Sequence, residues 1–360
     1  MKKETIALIL VGLLIGCGAI FLMTQGNPGN MGLCMACFLR DTAGALKLHT
    51  APVVQYMRPE IIGLILGSFI ISLLTKEFRP RGGSSPFLRF VMGMAVMIGA
   101  LAFLGCPMRM VLRMAAGDLN AYIAFLGFVA GVFVGTIFLN NGFSLQRSYK
   151  QTCLEGMGMP ITQILSLVVL LAAPSLLVFS EKGPGSMRAP VAIALVVALI
   201  AGALAQRIRL CQAGGVRDII MFGDWNLMWG SIAVFIGALG YNFAIGNVNF
   251  TFDGMPIAHS DHIWSVLGLF IVGLGSTLLG GCPMRQLVLS GTGNSDSAIT
   301  VLGMIIGAAF SHNYGLAGAP ANAKEGVAGG VSPNGRIALI ACLVILLIIG
   351  FANSKKEQRA

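Results

Sequence analysis

Charged residues are scarce in this chain of 360 residues. They make up 11% of it, whereas a soluble domain averages about a quarter. The chain lacks a nucleotide-binding loop, a catalytic triad and a zinc signature, and it has no basic stripe with interleaved aromatic residues. We therefore expect no cofactor, no bound metal and no nucleic-acid partner.

Apolar residues make up 56% of the chain, and the mean hydropathy is +0.83. This composition predicts an all-α polytopic membrane protein with the lipid bilayer as its surroundings.

Ten apolar runs approach the length of about 20 residues that a membrane-spanning helix needs. They lie at roughly 5–24, 59–75, 87–105, 119–139, 160–180, 189–206, 225–245, 262–281, 297–313 and 335–352. Two shorter and more polar segments, 31–47 and 210–222, lie between these runs. We predict re-entrant or broken helices there, because irregular backbone at membrane depth has to be buried in protein.

An internal repeat relates the two halves of the chain. Residues 33–41 have the sequence LCMACFLRD, and residues 210–218 have LCQAGGVRD. The sequence GCPMR occurs at 105–109 and again at 281–285. The spacing from Cys34 to Cys106 is 72 residues, and from Cys211 to Cys282 it is 71. Two uncommon motifs at one spacing predict a tandem repeat, with one half at 1–180 and the other at 181–360.

The number of spans predicts the orientation of the halves. Each half has five spans, an odd number, so the second half should enter the membrane from the opposite side, as in inverted-repeat transporters. The segments 76–89, 146–150 and 207–209 are basic, whereas 246–262 has no Lys or Arg. The positive-inside rule then places the basic segments and both termini in the cytoplasm of a bacterial-type inner membrane.

The two Gly-Cys-Pro-Met-Arg motifs predict helix starts. Proline is favoured at the first position of a helix, so Pro107 and Pro283 should begin helices that Cys106 and Cys282 cap. The free amides of such a start and the helix dipole favour negative charge. The motifs therefore predict an anion site that contains a thiol.

The flanking residues of these motifs have predicted roles as well. Gly105 and Gly281 allow close approach of the backbone, and Arg109 and Arg285 either turn back to the anion site or act as gate charges. The helix start and the arginine favour a thiolate, whereas burial among apolar side chains favours the neutral thiol. The sequence leaves both states open.

The other repeated motif places a cysteine before an Arg-Asp pair. Its members are Cys34, Arg40 and Asp41 in the first half and Cys211, Arg217 and Asp218 in the second. Charges at membrane depth are costly, so they either form structural ion pairs or border a substrate pathway. Both interpretations hold for the Arg-Asp pairs. For the four repeated cysteines we predict pathway roles.

Three further features carry weaker signals. Cys37 gives a Cys-x-x-Cys spacing with Cys34, but Gly214 takes its place in the second half. The 19 methionines are more typical of core packing than of a soft-metal route. His259 and His262 have helical spacing, and we expect them in a solvated outer loop.

The quoted motifs, together with the lead GNPGNMG before Cys34, resemble the YeeE/YedE sulphur-transport family over nearly the whole chain. The lead and the Cys-x-x-Cys spacing are most similar to the YedE branch of selenium transporters. The resemblance implies an hourglass-shaped helical monomer with a row of cysteines, which would fall on Cys34, Cys106 and Cys282, with Cys211 as the counterpart of Cys34. It also implies thiosulphate uptake and a small TusA-like sulphur carrier protein as partner.

The leading hypothesis is a transporter, not an enzyme, for a small inorganic sulphur or selenium anion that moves between thiols. One alternative is a membrane thiol oxidoreductase that uses Cys34 and Cys37. Another is a soft-metal permease.

Overall fold

The computed structural model describes residues 3–322, 327 and 329–354, and these residues are mostly helical. The α-helices are α1 (Lys3–Thr24), α2 (Met35–Ala45), α3 (Pro59–Leu74), α4 (Pro86–Ala102), α5 (Pro107–Ala115), α6 (Leu119–Asn140), α7 (Cys153–Ala172), α8 (Val191–Arg207), α9 (Gln212–Phe222), α10 (Asn226–Ala244), α11 (His262–Leu278), α12 (Pro283–Gly291), α13 (Ser295–Asn313) and α14 (Pro333–Ala352). Two short antiparallel strand pairs join loops: β1 (Arg81–Gly82) with β2 (Tyr149–Lys150), and β3 (Gly318–Ala319) with β4 (Gly330–Val331). The first two residues and the basic tail lie outside the described residues.

Among the described residues, eight helical segments are long and apolar enough to cross a membrane. The chain is therefore an all-α polytopic membrane protein, as predicted. Two of the ten predicted spans are not among the eight, namely α3, which has only 16 residues, and α13. The two segments that we predicted to be re-entrant contain the short helices α2 and α9, each with 11 residues.

The predicted bounds of one span, 160–180, were wrong at both ends. The helix α7 begins at Cys153, because Thr152 and Glu155 form a reciprocal capping box that satisfies the free amides of the first turn. It ends at Ala172, just before a short 3-10 turn at Pro174–Leu176. The predicted first residue, Pro160, lies inside the helix.

Helices of equal length recur in the two halves. The helices α4 and α11 each have 17 residues, and α5 and α12 each have 9. Within each pair the starts are 176 residues apart, at Pro86 and His262 for the longer helices and at Pro107 and Pro283 for the shorter ones. The opposite orientation of the two halves in the membrane stays a prediction.

The closest helix pairs each join one helix from either half. The pairs are α1 with α10, α3 with α8, α4 with α13, and α6 with α11. A side chain at Gly127 would collide with the backbone of Val266, and one at Gly303 with the backbone of Phe90. Small residues let these helices approach closely. Such packing contacts hold membrane helices together, because lipid is as apolar as the helices and supplies no hydrophobic force.

The loops form two faces. What we call the terminal face consists of the start of α1, the end of α14 and the loops 75–85, 141–152 and 208–211. A hydrogen bond from Ser144 N to Asn353 O joins two of these segments. The opposite face contains 25–34, 46–58, 173–190, 245–261, 314–322 and 329–332. The basic loops of the sequence lie on the terminal face, and its assignment to the cytoplasm stays a prediction.

Candidate functional site

Two helix starts meet at the first thiol cluster. Cys34 and Cys106 are the N-cap residues of α2 and α5. The Cys34 sulphur accepts a hydrogen bond of 3.4 Å from the backbone N–H of Cys37. The Cys106 thiol lies beside that of Cys34 and close to the amides of Ala36 and Arg109. Both thiols are buried, so this cluster sits inside the protein and does not face lipid.

The second half builds a matching cluster. Cys211 and Cys282 are the N-cap residues of α9 and α12. The Cys211 sulphur accepts hydrogen bonds from the backbone N–H of Gly214 at 3.2 Å and of Cys282 at 3.4 Å. These thiols are 5% and 1% exposed. The first turns of both proline-started helices, α5 and α12, begin as the sequence predicted.

A glutamine connects the two clusters. Gln212 Oε1 accepts a hydrogen bond of 3.2 Å from the Cys282 thiol, and Gln212 Nε2 lies 3.3 Å from the Met108 sulphur. Met108 belongs to α5, so this contact joins the start of α5 to the start of α9. Met108 and Gln212, which we call the neck, are 1% and 3% exposed. The clusters are therefore adjacent, and the neck is closed in this structure.

Backbone dipoles contribute to the electrostatics at the neck. Four helices, α2, α5, α9 and α12, begin at a cysteine of one of the two clusters. Each helix start carries unpaired N–H groups and a partial positive charge. Four such starts around two pairs of thiols favour a small anion over a cation.

Comparison with known families decides the class of protein. Residues 207–360 match the family model described as sulphur transport. This part of the chain is similar to the sulphur transport family. No curated protein matches the chain. The apolar helices indicate a multi-pass membrane protein, and the match supports transport of a sulphur species.

The Arg-Asp pairs of this transporter differ between its halves. Asp41 accepts from Arg40 and from Arg58, each at 2.7 Å, and all three side chains are buried. Arg58 also donates to the backbone oxygens of Pro184 and Met187, so it joins α2 to the loop before α8. In the second half Arg217 and Asp218 pair with each other at 2.7 Å, with 31% and 14% exposure. The geometry of Arg40 and Asp41 favours the structural interpretation.

Cys37 lies in the first cluster of the transporter, in the third position of α2. Its thiol is 3.6 Å from the carbonyl oxygen of Leu104 and 3.8 Å from an Arg109 nitrogen. All eight cysteines are free thiols.

The expectation of a solvated loop was wrong for His259. Its ring is 2% exposed, and Nε2 lies 2.8 Å from the carbonyl oxygen of Ala102. Burial lowers the pKa of His259, so the ring is neutral at pH 7. His262 lies 2.8 Å from Asn120 Oδ1. His259 therefore ties its loop to the end of α4, and His262 ties the start of α11 to α6.

Sequence reasoning missed the neck residues and the second arginine on Asp41. Gln212 stands between Cys211 and Ala213, where the first half has Met35, and this difference inside a repeated motif was a usable signal. Arg58 precedes the helix α3 and has no counterpart motif. Only the fold of the transporter brings it to Asp41.

Proposed function

We propose that the protein carries a small inorganic anion of sulphur or selenium, such as thiosulphate or an inorganic selenium compound, across the inner membrane. The observation that supports this best is the pair of adjacent thiol clusters on helix starts. The anion would pass Cys34 and Cys106 in one half and Cys282 and Cys211 in the other. A neutral thiol is a weak donor, and weak sites suit conduction because an ion has to leave as well as enter.

The closed neck requires side-chain motion during transport. Met108 is unbranched and flexible, and its sulphur is polarizable. We propose that this methionine and Gln212 move apart when an anion passes between the clusters. On the terminal face, proposed to be cytoplasmic, the basic loops would attract anions and a TusA-like carrier that receives the cargo.

The two alternatives have less support. A thiol oxidoreductase needs a dithiol that a quinone or partner thiol can reach, but Cys34 and Cys37 are both fully buried. A soft-metal permease would be favoured by a cluster of three metal-binding side chains. Among the described residues no such group of His, Cys, Asp or Glu is present.

Uptake measurements test the proposal. Cells that lack their own transporter and express Cys106→Ser or Cys282→Ser are expected to lose most uptake of radiolabelled thiosulphate or selenite. Serine keeps the hydroxyl hydrogen bond but loses the polarizable sulphur. Labelled sulphate, which has no soft sulphur end, should enter poorly even with the unaltered protein.

Matched control variants are Cys153→Ser, at the exposed start of α7, and Cys342→Ser, in α14. Both cysteines lie outside the clusters, so these variants should transport normally. Normal uptake by Cys106→Ser and Cys282→Ser, at expression equal to the controls, would contradict the proposed thiol route.

A further inference from the structure

The two Gly-Cys-Pro-Met-Arg motifs are identical in sequence, but their arginines have different partners. Arg109 is fully buried and donates to backbone oxygens: to Leu104, to Asn30 at 3.0 Å, and to Pro256 and Ile257 at 3.3 and 3.1 Å. Buried carbonyl groups have to be paired, and Arg109 pairs those of three loop segments at once. All three of its nitrogens are therefore engaged within the protein.

In the second half a different residue pairs the carbonyls of the helix break. Gln286 Nε2 donates to Leu279 O at 3.1 Å and to Gly281 O at 3.3 Å, and this side chain is 1% exposed. The first half has Met110 at the equivalent position, 176 residues earlier, and a thioether is no donor. Gln286 thereby pairs the carbonyl of Leu279, whose first-half counterpart Phe103 is paired by Arg113. Among the described residues Arg285 donates to Gln206 and to no carbonyl of this break.

Arg285 is a partly buried cation without a carboxylate partner. Its NH1 donates to Gln206 Oε1 at 3.0 Å, and the described residues contain no ion pair with it. Gln206 is held in turn by Glu77, 3.3 Å away, which pairs with Arg207 at the surface. A desolvated guanidinium is costly unless an anion accompanies it.

The neighbours of Arg285 make its surroundings more positive. Cys211 and Cys282 lie within electrostatic range of it, as do Arg209 and Arg81 of the terminal face. Two further cations near a guanidinium that has no ion pair among the described residues raise the local concentration of anions. The guanidinium fork matches oxyanions, since it presents parallel N–H groups.

We propose that Arg285 is the residue that binds the oxyanion end of the cargo, beside Cys211 and Cys282 and on the terminal-face side of the neck, while Arg109 is structural. This inference rests on the proposed transport function. It defines the cargo as an anion with an oxygen-rich end for the guanidinium and a soft end for the thiols. It also makes the path unequal, with the strong anion site on one side of the neck only.

Equilibrium binding of radiolabelled thiosulphate to the purified full-length protein tests this site. Arg285→Gln is expected to raise the Kd about tenfold or more, because it removes a charge-assisted hydrogen bond, with little change in melting temperature. Arg109→Gln should instead lower the melting temperature, since it leaves buried carbonyls unpaired. Arg147→Gln removes a charge from an exposed position on the same face and serves as the matched control.

Each result of this experiment bears on the site. An unchanged Kd for Arg285→Gln, or an equal loss for Arg147→Gln, would overturn the assignment. So would an Arg109→Gln protein that melts normally but no longer binds.

If Arg285→Gln does not fold, Arg285→Lys decides, because lysine keeps the charge without the fork: a weaker Kd supports the site and an unchanged one overturns it. If Arg285→Gln binds normally while Cys282→Ser abolishes uptake, only the inference fails. If the unaltered protein neither binds nor transports a sulphur anion, the proposed function fails too.

Discussion

Replacing Asp41 with asparagine is expected to lower the free energy of unfolding by about 3–5 kcal/mol, the usual loss when one partner of a buried ion pair is removed. The carboxylate accepts from Arg40 and Arg58 at 2.7 Å each, and none of these side chains reaches solvent. Asparagine keeps the shape but not the charge. Two guanidinium groups would then be left without an anion, and the bond between α2 and the loop before α8 would weaken.

The equivalent residue of the second half provides the control. Among the described residues Asp218 pairs with one arginine, and that pair is partly exposed, so Asp218→Asn should cost about 1 kcal/mol or less. Both variants can be heated in detergent while the monodisperse fraction is followed by size exclusion. Equal losses for the two variants, or none for Asp41→Asn, would show that the Arg40–Asp41–Arg58 arrangement does not stabilise the fold.

Replacing Gly32 with valine is expected to destabilise the protein and to abolish uptake together. A Cβ at this position would overlap the carbonyl group of Ala19 in α1, and overpacking of this kind typically costs about 1–3 kcal/mol or more. Gly32 lies two residues before Cys34, and its own carbonyl accepts from Asn27 at 3.2 Å. A shift of this loop therefore displaces the cap of α2 and the thiol cluster with it.

Gly158 serves as the control for this prediction. It lies in α7, is exposed, and a Cβ there would have no atom within 4 Å. Gly158→Ala should therefore leave uptake unchanged and slightly stabilise the helix, since alanine has the higher helix propensity. Melting temperature and thiosulphate uptake are measured on both variants. Normal uptake by Gly32→Val would contradict the tight fit of the loop against α1.

Much of the fold followed from the sequence because local signals set it. Apolar runs defined most of the spans, and proline after cysteine fixed the starts of α5 and α12. The predicted bounds of α7 were wrong at its end because the apolar sequence continues past Ala172, where the helix stops. They were wrong at its start because the hydrogen bonds of the capping box decide where the helix begins. Hydropathy alone does not contain that information.

The site was predicted less completely, since its contacts join distant parts of the chain. The motifs indicated the four cysteines, but the bond from Gln212 to Met108 crosses 104 residues. Identical motifs also gave no sign that Arg109 and Arg285 differ. That difference depends on what surrounds each arginine: the loop 256–257 folds back onto Arg109, whereas Arg285 meets Gln206.

The pairing of helices across the halves has a consequence for how the molecule is made. The glycine-lined face of α1 fits α10, and that of α3 fits α8. During synthesis α1 and α3 are made long before their partner helices, so their glycine-lined faces have no partner in the meantime. Assembly is therefore a late event, and residues 207–360 made alone would lack the partner helices of α10, α11 and α13.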